Sequence, residues 1–269
     1  MNHFDIKQEL DNFIYRVYNI ISNFSFQLQF KLKKSLKYNL KYKDLHQGER
    51  CFILATGPSL GKLESNQIKN LTNEVVFAVN SYYKATHTKE IIPNYYVLMD
   101  DLYRGSWSNV FKEIESEYST RKPIFITDIR SRPFITKQNR EFDNIFLYAK
   151  KYPVDCIDSD LSKNMFIGLN VVTTAILSAI FFGFKDIYII GADYNAFCSQ
   201  GRGHVYDDDH EVSQVNYNLA FYLKFYAICT DFHYLVFKYA KKKGVNIINL
   251  NPNSLLDAYP KMTLNEILG

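Results

Sequence analysis

The sequence predicts an α/β fold, a mostly parallel sheet with helices on both faces, preceded by a basic helical N-terminal extension. Three observations point to it. From Cys51 onward, short runs rich in β-branched and aromatic residues recur, bounded by Gly, Pro, Asn or Asp. These runs are continuously apolar rather than alternating, as in strands covered on both faces. Polar stretches of helical length separate them, which is the order of a parallel sheet.

Taken along the chain, residues 1–48 form the extension and residues 49–269 one domain. The extension contains no proline, and Gln27–Lys43 carries six lysines and no acid, with Phe30, Leu32, Leu36, Tyr38, Leu40 and Tyr42 interleaved. Such a basic amphipathic segment suits either an anionic membrane surface or a solvated helix against the domain. Strands are expected at 51–56, 75–80, 95–99, 123–127, 144–149, 186–192 and 244–250. Helices are expected from about Asn170, within 212–242, and at the terminal stretch beginning Thr263.

Bulk composition narrows the class. With 269 residues and 47% hydrophobic side chains, a full core is expected. A net charge of +4 is too mild for a dedicated nucleic-acid binder. Cys51, Cys156, Cys198 and Cys229 form no CxxC pair, so neither a zinc site nor a disulfide framework is expected, and a reducing cytoplasm is. Asp5, Glu9 and Asp11 interrupt any signal-peptide pattern at the start. The longest apolar run, Val171–Phe184, is short for a membrane crossing and reads as a buried helix.

Ligands of open parallel sheets collect at the carboxyl ends of the strands. After the first strand stands Thr56-Gly57-Pro58-Ser59. Glycine lets a backbone approach a ligand, Ser59 can cap the next helix, and outward N–H groups would suit a phosphate. The same turn also serves as a plain strand-to-helix connection, and it matches neither GxxxxGK nor GxGxxG. Asn80 follows the second strand, where it can bridge strand ends or bond a base or sugar. Asp100 and Asp101 follow the third, able to hold a metal or to cap a helix. Asn170 opens the next helix. Asp193 and Tyr194 end the penultimate strand, and a segment crowded with His204, Tyr206, Asp207, Asp208, Asp209 and His210 follows. Crowding of this kind can mean metal ligation, general-base catalysis or an exposed acidic loop. His233, inside an apolar helical stretch, reads as a satisfied, partly buried histidine rather than a catalyst.

The ordered set is ATGPSL (55–60), VFAVN (76–80), NYYVLMDD (94–101), GLNVVTTAILSAIFFGFKDIYIIGADY (168–194) and NIINLNPNSLLDAYP (246–260). It resembles two bacterial families: the small sialyltransferases and the 6-hydroxymethylpterin diphosphokinase-like family, which includes flagellin glycosyltransferases and surface-polysaccharide enzymes. The resemblance spans about Glu49 to Ile267. It implies a Rossmann-like, GT-A-like variant of the nucleotide-sugar fold in residues 49–269. It also implies a cytoplasmic, peripheral-membrane glycosyltransferase that moves a sugar from a CMP-activated, sialic-acid-like donor to a glycan or lipid-linked acceptor. No cofactor or metal is needed for that chemistry.

On that resemblance Thr56, Gly57, Pro58, Ser59, Asn80, Asp100, Asn170 and Tyr194 bind the nucleotide. His204, Tyr206 and Asp193 flank the reacting centre. The sequence departs from the sialyltransferase pattern at Thr56, where an asparagine is usual, and at Asn195, where a phosphate-binding tyrosine is expected. His204-Val205-Tyr206 resembles the histidine-aromatic pair of the polysaccharide enzymes, while His210 and His233 remain alternatives for the base. Two other readings stand beside this one. In the first, an ATP- and Mg²⁺-dependent phosphotransferase holds its metal on Asp100 and Asp101 or on Asp207–Asp209. In the second, a relative binds nucleotide without catalysis.

Overall fold

The structure, a computed structural model, describes residues 3–135, 143–166, 170–198, 204–206 and 218–268. In chain order the elements are α1 (His3–Leu28), α2 (Phe30–Leu36), β1 (Arg50–Leu54), α3 (Ser65–Leu71), β2 (Val76–Val79), β3 (Tyr95–Leu98), α4 (Val110–Glu117), β4 (Ile124–Asp128), α5 (Arg132–Ile135), β5 (Ile145–Lys151), β6 (Asn164–Phe166), α6 (Val171–Phe182), β7 (Asp186–Ile190), α7 (Leu219–Lys243), β8 (Asn246–Asn249) and α8 (Leu264–Leu268). The strands form one sheet in the order β6-β5-β4-β3-β2-β1-β7-β8. Every pairing is parallel. The chain steps outward from β1 through β2 to β6, then returns to the other side of β1 as β7. The crevice between β1 and β7 is therefore the switch point at which such sheets take their ligands.

Continuous apolar strands bury both faces, as expected. On one face Ile53, Phe77, Val97 and Ile189 meet α6 and α7 through Ile176, Phe182, Phe232 and Val236. On the other, Phe52, Val76, Tyr96 and Phe125 meet α3, α4 and α8 through Leu71, Ile114 and Leu268. Neighbouring residues of one strand thus serve opposite cores, the period-two geometry of a pleated strand. The ends of α6 are written in the sequence: the Asn170 side chain accepts from Val172 N, and Gly183 closes the helix at φ +92°. The sequence reading did not contain β6, a three-residue edge strand too short to carry a pattern.

The N-terminal region divides differently from its lysine pattern. Its regular helix is α1, 26 residues long, whereas 27–43 folds as the short α2 and a 3₁₀ turn over Lys37–Tyr42. The stretch is not one continuous amphipathic helix, because Leu36, Asn39 and Tyr42 point into the body. Asn39 Nδ2 donates to Phe146 O and Leu161 O, both at 2.8 Å. One face of α1 lies over the end of β5. Arg16 makes a two-pronged pair with Asp155, Tyr15 stacks on Tyr152, and Phe26 stacks on Tyr148. Among the described residues, no helix is long and apolar enough to cross a membrane.

Candidate active site

A cavity of about 330 Å³ opens over the carboxyl ends of β1, β2, β3 and β7. Thr56, Gly57, Asn80, Asp100, Asn170, Asp193, Tyr194 and His204 all line it. Residues far apart in sequence reach one place because parallel strands present all their carboxyl ends on the same edge.

The turn after β1 is held by the end of β7. Gly57 N donates to Gly191 O and Ala55 N to Ile190 O, each at 2.8 Å. A Cβ on Gly57 would overlap Gly191 O, and one on Gly191 (φ +78°) would overlap Ala55 O, so both positions require glycine. The Asp193 carboxylate accepts from Ser59 N at 2.7 Å, from Ser59 Oγ, and from Asn251 Nδ2 at 2.7 Å. Outward N–H groups were expected on this turn. Instead the N–H groups of Gly57 and Ser59 are both consumed internally, and Ser59 fastens to Asp193 rather than capping a helix. Pro58 and Ser59, expected at the nucleotide, are not among the residues lining the cavity. Asp193 lines the cavity and also clamps the turn after β1; Asn251, after β8, donates to its carboxylate, while Asn249 of β8 and Ser254 donate to the neighbouring Ala192 O.

The turn after β2 carries the least ordinary residue of the pocket. Asn80 sits at φ +47°, a left-handed conformation uncommon outside glycine. Its Oδ1 is buried with no hydrogen-bond partner. The conformation is fixed from behind by the fully buried Tyr96, whose hydroxyl donates to Asn80 O at 2.8 Å and accepts from Tyr83 N at 2.9 Å. Tyr194, at φ +61°, is the other left-handed non-glycine residue lining the cavity. Strained backbone of this kind concentrates where structure serves a ligand.

Asp100 accepts from Leu102 N at 2.9 Å and so caps the 3₁₀ turn after β3 while lining the cavity. Asp101 turns to Arg104 and Arg130 instead. Arg130 also grips Asp128; burial would raise that carboxyl's pKa, yet the guanidinium holds it below the usual carboxylate range. The two adjacent aspartates thus serve different partners. Among the described residues, no group of three or more His, Cys, Asp or Glu is gathered as for a metal ion. Asp207, Asp208, Asp209 and His210 lie outside the described residues.

Asn170 brings the N-terminus of α6 to the cavity, where its partial positive charge faces whatever the cavity holds. His204 stacks on the buried Tyr206 with centroids 5.1 Å apart. Val205 N between them donates to Thr56 O at 2.8 Å, pinning His204 beside the β1 turn. Tyr206 is thus the backing of His204, and Lys84 Nζ lies 5.6 Å from its ring. Phe225, Tyr226 and His233 enter from α7. The sequence reading did not contain Phe225 and Tyr226, because an aromatic-rich helix gives no sign of which face meets a cleft. His233 is fully buried, with Nδ1 2.8 Å from Tyr259 Oη and Nε2 without a partner. Burial lowers its pKa to about 3, so the ring is a weak base at neutral pH. Burial also raises Tyr194 and pushes Tyr226 up to about 12, which keeps both hydroxyls protonated as donors.

The all-parallel sheet defines an α/β domain of Rossmann-like architecture, and the cavity, lined by polar and apolar side chains alike, lies over the switch point where such sheets take their ligands. Residues 19–198 match the family described as 6-hydroxymethylpterin diphosphokinase MptE-like, and the chain belongs to that family. Among solved structures, the chain is similar to the sialyltransferase CstII from Campylobacter jejuni in complex with cytidine-5'-monophosphate. That match has 14% identity and a TM-score of 0.48, covering 81% of this chain and 86% of that one. The chain is also similar to the MAf glycosyltransferase from Magnetospirillum magneticum AMB-1. There identity is 14% and the TM-score 0.48, with 88% of this chain and 39% of that one covered. Among curated proteins none matches the chain.

Proposed function

We propose that this protein is a glycosyltransferase that takes its sugar from a CMP-activated donor and passes it to a glycan acceptor. The observation that carries the proposal is Asn80, a residue in left-handed backbone that lines the switch-point cavity and keeps a buried, unpartnered Oδ1. A buried acceptor without a donor costs about 1–3 kcal/mol. A ligand N–H or O–H at that position, such as a cytosine amino group or a ribose hydroxyl, would recover that cost. The motif resemblance supplies the nucleotide: in the sialyltransferase pattern the corresponding asparagine lines a CMP pocket.

The chemistry follows from the groups at hand. His204 takes the proton of the acceptor hydroxyl, whose oxygen bonds to the anomeric carbon. The bond from that carbon to the phosphate oxygen breaks, and its electron pair leaves with CMP. The α6 N-terminus and the protonated Tyr194 stabilise the charge growing on the phosphate. A histidine base contributes about 10²–10⁴-fold. His233, held neutral by burial, is a wall of the cavity rather than its base.

The test is thermal stabilisation by CMP, CDP, UDP, GDP and ATP, each in EDTA and in Mg²⁺, on the wild type and on Asn80→Ala. Stabilisation selective for CMP in EDTA, lost in Asn80→Ala, is the expected result. A donor screen with His204→Gln then separates the steps: binding is retained while turnover falls. Stabilisation by ATP alone, and only with Mg²⁺, would overturn the assignment in favour of a phosphotransferase.

A further inference from the structure

One face of α1 is satisfied by the body of the protein and the other is not. Ile6, Leu10, Phe13, Val17, Ile20 and Phe24 succeed one another at alternating steps of four and three along the helix. That is the spacing of an apolar coiled-coil seam, the two positions of each heptad that meet a partner helix. Ile14, Ile21 and Leu28 widen the seam along one flank. All nine side chains are 41–70% exposed. The face turned to the body is a different set, in which Tyr15, Asn19, Ser22 and Phe26 contact Tyr152, Lys150 and Tyr148.

We infer that this seam is the interface between two copies of the chain, paired through α1 about a two-fold axis. Area argues for a stable pair: nine such side chains present on the order of 1,000 Å² per protomer, against about 800 Å² per partner in a standard interface. Pattern argues for a helix as the occupant, since a sustained heptad spacing keeps one stripe facing one partner helix over a length of about 35 Å. Charge argues against a lipid surface at this face. Described α1 side chains include Asp5, Glu9 and Asp11 against Lys7 and Arg16, whereas helices lying on anionic bilayers carry lysine and arginine on their polar face. The lysine-rich run begins only after α1 ends. A seam of one repeating type is complementary to itself, and two-fold homodimers are the commonest closed assembly.

The experiment is sedimentation velocity on the full chain across micromolar concentrations, for the wild type, Phe13→Glu/Ile20→Glu and the milder Ile20→Gln. Far-UV circular dichroism and melting temperature are read on each to check folding. The substituted side chains are exposed, so the helix and its inner face are retained. A wild-type dimer whose dissociation constant rises on the order of a hundredfold in the double variant, with Ile20→Gln intermediate, is the expected result. A wild type that stays monomeric throughout, or a dimer indifferent to both variants, would overturn the inference. A monomer that pellets with phosphatidylserine/phosphatidylcholine vesicles through the same residues would also overturn it, and would assign the face to a bilayer.

Discussion

His233 gives the residue scale its sharpest consequence. Its ring is fully buried between Tyr194 and Tyr259, and burial depresses its pKa from the ordinary 6.5 to about 3. Between those values the unfolded chain holds a proton that the folded chain refuses, so stability falls as pH drops below about 6.5 and is unaffected above it. The slope is at most about 1.4 kcal/mol per pH unit. In His233→Gln that slope is absent, so the stability gap between wild type and variant should narrow on acidification from pH 6.5 to 5, as read by urea midpoints. A constant gap would mean the ring is solvated. In the sequence His233 reads as a satisfied, partly buried histidine because it sits in an apolar helical stretch; the structure buries it completely and leaves its Nε2 without a partner. Asn80 was legible as a strand-end residue, but its left-handed backbone was not. That conformation depends on the Tyr96 hydroxyl, sixteen residues away, and no local pattern encodes such a bond.

At the element scale, the β1 and β7 turns interlock through two glycines. Gly191→Ala would place a methyl group against Ala55 O at a backbone conformation that alanine disfavours. A loss on the order of 1–3 kcal/mol is expected, equivalent to a melting temperature lower by several degrees. Ligand stabilisation should fall with it, because the displaced turn carries Thr56 and Gly57. A variant that melts as wild type and binds as wild type would show that the close approach is relaxed in solution. Strand positions were legible because each core strand is a compact β-branched and aromatic run. Their ends shifted by only one or two residues. The exceptions have physical causes: β6 is three residues long, and the lysine-rich stretch reads as helical although Leu36, Asn39 and Tyr42 break it into separate pieces by packing inward.

On the scale of the whole molecule, the N-terminal 48 residues and the remaining chain share a core. Leu36 and Tyr42 are buried against the sheet, and Asn39 bridges two backbone carbonyls of the body. Each large apolar side chain contributes about 1.5–3 kcal/mol, a large share of a total of about 5–15 kcal/mol. A chain beginning at Glu49 is therefore expected to lack a cooperative melting transition by circular dichroism. A sharp transition from it would establish 49–269 as an independent folding unit.

By itself the sequence determined the α/β class, the positions of the core strands along the chain and the polar residues that follow them. Local composition and period suffice for those, since a strand buried on both faces must be apolar throughout and a turn needs its glycine. Only the tertiary structure decided which of the polar residues face the cavity. It turned Asp193 and Ser59 into a clamp, Tyr206 into the backing of His204, and Asp101 toward two arginines. It also left one stripe of α1 bare. These outcomes depend on hydrogen bonds and contacts between segments far apart in the chain, such as Ser59 and Asp193, 134 residues apart, whose geometry is set by the closing of the whole sheet rather than by any stretch of chain.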